Sequence, residues 1–230
     1  MKRFVGGIGL AALALAFAAK PAAAQLAGNV VQPALPGTGV TISGDFATGL
    51  NDDAKIGGEA PMYFGGRVRL GLPMFAVWAG GGMYPKSVTG VDSKVTFGGG
   101  VGINLLKGPA LPVTISPQAG IGYYKDASDI KMLNVPLGVL VVINVPSPAL
   151  NVKPWIYPRA EIVNISNGAS STKVGAGASA GLNISLPMGF GGQVAVDWMT
   201  IKYEGATVAT KPLMFGASLH YNISVPGLGM

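Results

Sequence analysis

The 230-residue sequence has no cysteine, one histidine (His220) and charged side chains at only 11% of its positions. Without cysteine there can be no disulfides, no thiolate metal sites and no lipid-modified amino-terminal cysteine. One histidine, and no tight carboxylate cluster besides Asp52-Asp53, give no pattern for a metal centre, so neither metal nor cofactor is expected. The charged fraction is under half of the roughly 25% found in ordinary soluble domains, which dress their surfaces with lysine and glutamate. No run of lysine and arginine interleaved with aromatics occurs, and this argues against nucleic acid as a partner.

What is present begins with a leader. Met1-Lys2-Arg3 is a basic start, residues 4–19 are apolar, and Ala22-Ala23-Ala24 before Gln25 offers a small-residue cleavage pattern. We read 1–24 as a secretory signal peptide and not as a membrane helix, because the apolar run falls short of roughly 20 residues and Lys20-Pro21 closes it. Loss of Lys2, Arg3 and Lys20 leaves 13 basic against 10 acidic side chains, a mature net charge of +3. The basic character of the whole chain therefore owes much to the leader.

Asn104, Asn144, Asn183 and Asn222 recur at spacings of 40, 39 and 39 residues, each between apolar or aromatic neighbours and each soon followed by proline. A fixed interval means one repeated structural unit. Each interval holds two runs of alternating apolar and small or polar residues, one tight Pro/Gly turn and one longer polar loop, which is the pattern of an antiparallel strand pair. After a periplasmic lead-in over 25–39, the sequence predicts an all-β antiparallel up-and-down transmembrane β-barrel over 40–230. Its ten strands fall near 40–50, 62–72, 74–84, 94–106, 111–124, 132–145, 152–164, 173–186, 190–202 and 210–225. The third has the weakest alternation, which leaves eight or twelve strands as alternatives. Tight connections at 72–73, 107–112, 146–150 and 187–189 alternate with longer charged ones at 51–60, 85–93, 125–131, 166–172 and 203–209, the asymmetry of barrels with short periplasmic turns and longer outside loops. The prolines gather in the turns.

The faces of the strands decide the environment. On the fourth strand Val95, Phe97, Val101 and Ile103 oppose Thr96, Gly98, Gly100 and Asn104; on the tenth, Phe215, Leu219 and Ile223 oppose Gly216, Ser218, His220 and Asn222. Glycine, serine, threonine and asparagine make a poor soluble exterior and a plausible lumen. Asp45, Arg67, Arg69, Arg159, Glu161 and Asp197 fall within strands on this second face. Reversal would put them in lipid, where a basic side chain near the midplane costs roughly 2–4 kcal/mol. Tyr63, Tyr84, Tyr123, Tyr124, Trp198 and Tyr203 cluster near the long loops and Trp155, Tyr157, Phe190 and Tyr221 near the turns, where interfacial belts form, with several of them on the lumen register and Trp78 mid-strand.

The closing segment Gly216-Ala217-Ser218-Leu219-His220-Tyr221 resembles the last strand of outer-membrane β-barrel proteins of Gram-negative bacteria, which the barrel-assembly machinery reads. The resemblance covers the leader and all ten strands, and implies the superfamily without a particular member. It implies a monomer in the outer membrane, with membrane lipid and the assembly machinery as partners and any extracellular ligand left open.

Candidate functional residues follow from the register. Asp45, Arg67, Arg69, Arg159, Glu161, Asp197 and His220 are expected to form a polar network filling the lumen, and Asn104, Asn144, Asn183 and Asn222 to hydrogen-bond at its turn-side end. His220 lies far from the long loops, so it is read as a lumen imidazole and not as a general base. Gly80-Gly81-Gly82 and Gly98-Gly99-Gly100 are not phosphate loops, since no helix follows them; they are expected to ease curvature and close approach. The expected function is a structural or surface-interaction barrel without catalysis. A narrow porin-like channel is the alternative, and an outer-membrane enzyme the second.

Overall fold

The computed structural model describes residues 35, 37–55, 59–84, 94–105, 112–125, 131–145, 150–167, 169–202 and 207–225. The expected signal peptide and most of the lead-in lie outside the described residues. Ten strands follow in order: β1 (Gly39–Gly49), β2 (Met62–Gly71), β3 (Phe75–Tyr84), β4 (Lys94–Ile103), β5 (Val113–Lys125), β6 (Lys131–Ile143), β7 (Asn151–Asn167), β8 (Ala169–Ser185), β9 (Phe190–Thr200) and β10 (Leu213–Ile223). Each pairs antiparallel with the next, and β10 pairs with β1 to close the ring. The molecule is a closed ten-stranded antiparallel up-and-down β-barrel.

Alternation drives this closure. Ile42, Phe64, Val68, Val77, Phe97, Ile121, Leu137, Ile156, Val194 and Leu219 point out and are exposed, while the residues between them are covered. A slip of one residue in any strand would exchange the two sets. At the seam the register runs from Val40↔Ile223 to Gly49↔Met214. Side chains latch both ends of it. At the turn end the Thr41 hydroxyl donates to Asn222 Oδ1 at 2.7 Å. At the loop end Asn51 caps a short 3-10 turn over Asp52–Ala54, donates to the Lys211 carbonyl at 2.9 Å and accepts from the Leu213 amide at 3.0 Å.

Two expectations need correction. Within 166–172, residues 166–167 and 169–172 are strand, and residue 168 lies outside the described residues: β7 and β8 run to 17 residues each and pair as far as Asn167↔Ala169. The polarity of this stretch looked like a loop, but Asn164 Nδ2 donates to the Ser170 and Thr172 hydroxyls at 2.9 and 2.8 Å, ladder contacts that suit water above a barrel rim. The prolines are also not confined to turns. Pro117, Pro136, Pro154 and Pro158 stand inside strands, and the β5–β6 and β6–β7 pairings lapse opposite Pro136 and Pro158, where no amide hydrogen is available.

Candidate functional site

The lumen has three regions, and the central one is ionic. Arg159 on β7 donates through Nε to the Glu161 carboxylate and through Nη1 to the Ser179 hydroxyl at 2.8 Å, and its Nη2 forms an ion pair with Asp197 Oδ1 at 2.9 Å. Ser179 in turn donates to Asp197 Oδ1 at 2.6 Å. All three charged side chains have 0% exposure. Adjacent positions on the inner face of β7 (residues 155, 157, 159 and 161) supply the arginine and one acid, while facing positions on β8 and β9 supply the rest. The Tyr157 ring lies 5.8 Å from the guanidinium carbon. Across the bore Arg67 stands 3.7 Å from Asp45, a looser pair.

Beyond this knot the long-loop end is apolar. Tyr63, Tyr84 and Tyr124 interlock with centroid separations of 5.6 and 5.9 Å, beside buried Met132, Val163, Met199, Ile201 and Met214. Leu140, Val142, Trp155 and Tyr157 continue the same cluster down the β6–β7 wall. The expected belt divides by register: Tyr63, Tyr84, Tyr124, Trp155 and Tyr157 fill the interior, Tyr123, Trp198, Phe190 and Tyr221 stay on the outside register, and Tyr203 lies outside the described residues. The lumen is therefore not uniformly small and polar.

The inward glycines are the counterpart of these large side chains. A β-carbon on Gly82 would lie 2.5 Å from the Tyr63 ring, one on Gly181 2.5 Å from Trp155, one on Gly100 2.9 Å from Trp78 and one on Gly191 2.3 Å from His220. A β-carbon on Gly177 would meet the Arg159 guanidinium at 2.9 Å. Large residue and glycine sit on neighbouring strands, so the glycines act as sockets; this refines their expected role in curvature and close approach.

The third region is a cavity of about 180 Å³ at the tight-turn end. Arg67, Arg69, Lys153, His220, Gln193, Asn183, Ser185 and Asn222 are among its lining residues. Arg69 donates through Nε and Nη2 to Thr41 Oγ1 at 3.2 and 2.9 Å, and through Nη1 to the Leu35 and Gly37 carbonyls. His220 Nε2 lies 3.3 Å from Ser185 Oγ, and Ser185 also reaches Asn183 Oδ1 at 3.1 Å. Thus the structure puts Asp45, Arg67, Arg69, Arg159, Glu161, Asp197 and His220 on the lumen face, but in separate groups: Arg159, Glu161 and Asp197 in the knot, Arg67 with Asp45, and Arg69 and His220 at the turn end.

The four repeated asparagines all lie at the turn end with different bonds. Asn222 accepts from Thr41 and donates to the Gly189 carbonyl at 3.3 Å; Asn144 donates to Thr114 Oγ1 at 3.2 Å; Asn183 accepts from Ser185. Asn104 Nδ2 is buried without a hydrogen-bond partner among the described residues. Sequence reasoning passed over Lys153, Ser179 and Gln193, although each shares the inward register of a residue it did select. The acidic pair in the first loop is structural, with Asp52 paired to Lys55 at 2.7 Å and Asp53 accepting from the Lys211 amide at 2.8 Å. Among the described residues no group of three metal-ligating side chains converges.

No family model matches this chain, and no curated protein does. Solved structures similar to it include Neisserial surface protein A, at 12% identity over 80% of this chain and 96% of that one, with a TM-score of 0.40. The outer membrane protease OmpT from Escherichia coli is similar at 9% identity over 81% and 94%, TM-score 0.41. The translocator domain of the autotransporter NalP from Neisseria meningitidis is similar at 13% identity over 95% and 98%, TM-score 0.45. These are outer-membrane β-barrels of Gram-negative bacteria. At such low identities and TM-scores they carry no argument about this chain's residues or role. Its class rests on its own geometry, a closed ten-stranded β-barrel with an apolar exterior and a filled, charge-bearing interior.

Proposed function

We propose that the chain is a small outer-membrane β-barrel of a Gram-negative bacterium, exported across the inner membrane, with a structural or surface-interaction role and no catalytic activity. The observation that carries this reading is the filled bore, in which a fully buried ionic knot is backed by interlocked tyrosines and apolar side chains. A conducting pore needs a continuous wet path, and buried methionine, isoleucine and valine at the long-loop end interrupt it. The exterior supports a lipid setting: exposed Phe64, Val68, Phe97, Leu137, Val196 and Leu219 belong to an apolar ring around the barrel, and a contiguous apolar surface of that kind marks a membrane or partner-facing side. In this reading the tight turns face the periplasm, the long loops and the β7–β8 tip face outside, and β10 carries the signal for the assembly machinery.

The Ser185–His220 pair supports a structural role over a catalytic one. The Ser185 hydroxyl donates to Asn183 Oδ1 at 3.1 Å and stands 3.3 Å from His220 Nε2, so it is engaged with the turn-end asparagine and not held for His220 alone. Planar-bilayer recording of the refolded chain, with gel migration of boiled and unboiled samples, tests the proposal. A heat-modifiable band with no discrete openings is expected. Discrete openings would replace the closed bore with the narrow channel, and hydrolysis of lipid or peptide substrates abolished by His220→Ala would replace it with the enzyme.

A further inference from the structure

We propose that the turn-side cavity is a binding site for a small multivalent oxyanion, a phosphate or a compact polycarboxylate. Among the described residues three cations, Arg67, Arg69 and Lys153, line it and no carboxylate does. Asp45 stands 3.7 Å from Arg67, outside the cavity lining. A concave wall that gathers three cationic side chains sets up a positive potential that draws in an anion. The polar complement is rich in donors. Gln193 is 5% exposed, lines the cavity, and its Nε2 has no hydrogen-bond partner among the described residues. Thr41 already donates to Asn222, and Arg69 keeps one guanidinium N–H beyond those given to Thr41, Leu35 and Gly37.

Size and shape set the class. A space of about 180 Å³ accommodates on the order of ten water-sized groups, enough for phosphate or citrate and too little for an oligosaccharide or a peptide. Guanidinium and ammonium groups favour oxyanions over chloride through charge-assisted hydrogen bonds. With the far end of the bore filled, the ligand enters from the tight-turn side. The site needs no conduction, so it stands whether or not the surface-interaction role does.

The test uses the full chain folded in phosphatidylcholine nanodiscs, titrated calorimetrically with inorganic phosphate and with citrate against chloride. Saturable binding of one oxyanion is expected, weakened at least about tenfold by Lys153→Gln and unchanged by Lys173→Gln, which alters an inward-register lysine at the opposite end of β8. Arg67→Gln is the second variant should Lys153→Gln lose its heat-modifiable band. Nanodiscs containing phosphatidylglycerol separate the sources: a reduced signal assigns the site to a lipid headgroup phosphate, an unchanged one to a free anion. No saturable binding of either probe, or equal affinity in the parent and Lys153→Gln, overturns the proposal.

Discussion

Replacing Arg159 by alanine should be among the most damaging single changes in the barrel. Glu161 and Asp197 would stay at zero exposure without their cation, and Ser179 alone could not serve both. Removing one member of a buried ionic group costs about 3–5 kcal/mol. At roughly 2–4 °C per kcal/mol for a chain of this size, the melting temperature should fall by roughly 6–20 °C. Arg67→Ala should cost less, about 1.5–3 kcal/mol, because its pair with Asp45 is longer at 3.7 Å and 10% and 5% exposed. The penalty lies in the orphaned acids and not in a lost attraction, so Arg159→Met combined with Glu161→Leu and Asp197→Leu should recover most of it. The assay is thermal loss of the fast-migrating gel band, with conductance recorded on the same samples. Conductance should change less than stability. An Arg159→Ala variant melting within about 2 °C of the parent, or a triple variant no better than the single one, refutes the knot as a stabilising filler.

Three shorter predictions concern the outer face, the filled end and the seam. Leu137→Arg, at an exposed position midway along β6, should cost about 2–4 kcal/mol in a bilayer, whereas Val208→Arg, exposed outside the strands, should be near neutral; equal and negligible costs in lipid unfolding titrations would contradict the lipid-facing register. Changing Tyr63, Tyr84 and Tyr124 together to alanine should give bilayer openings absent from the parent, and a silent triple variant would show that the knot alone seals the bore. Asn222→Ala removes bonds to Thr41 and Gly189 across and beside the seam and should lower unfolding free energy by about 1 kcal/mol with its hairpins intact, checked by urea titration.

The strand pattern was legible because each strand carries one oily and one small or polar face, and this periodicity survives without tertiary context. It located all ten strands and put Arg67, Arg159, Asp197 and His220 on the inner face. Even the third, weakest strand pairs along its length, since Gly80 and Gly82 face inward and only looked like interruptions. The filled interior was less legible. Trp155 and Tyr157 share the register of Arg159, but aromatic rings suit both a membrane interface and a packed bore, and composition alone does not choose. The choice is made across strands, where Gly181 and Gly138 leave the space those rings occupy. The cationic cavity was hidden for a similar reason: Lys153 and Arg67 are distant in sequence, and only closure of the ring puts them around one space.

The extended β7–β8 pair alters what the outside of the molecule offers. Seventeen residues at about 3.3 Å each span roughly 55 Å, while a ten-residue strand spans roughly 33 Å; β6 accompanies β7 as far as Lys131↔Ser166, and β8 continues past its last β9 rung at Ala176↔Thr200. The tip of the pair is held by backbone rungs and by asparagine, serine and threonine contacts. Anything docking there would meet a preset shape and forgo the entropy loss of ordering a slack loop, which favours fast, shape-selective contact over adaptable capture.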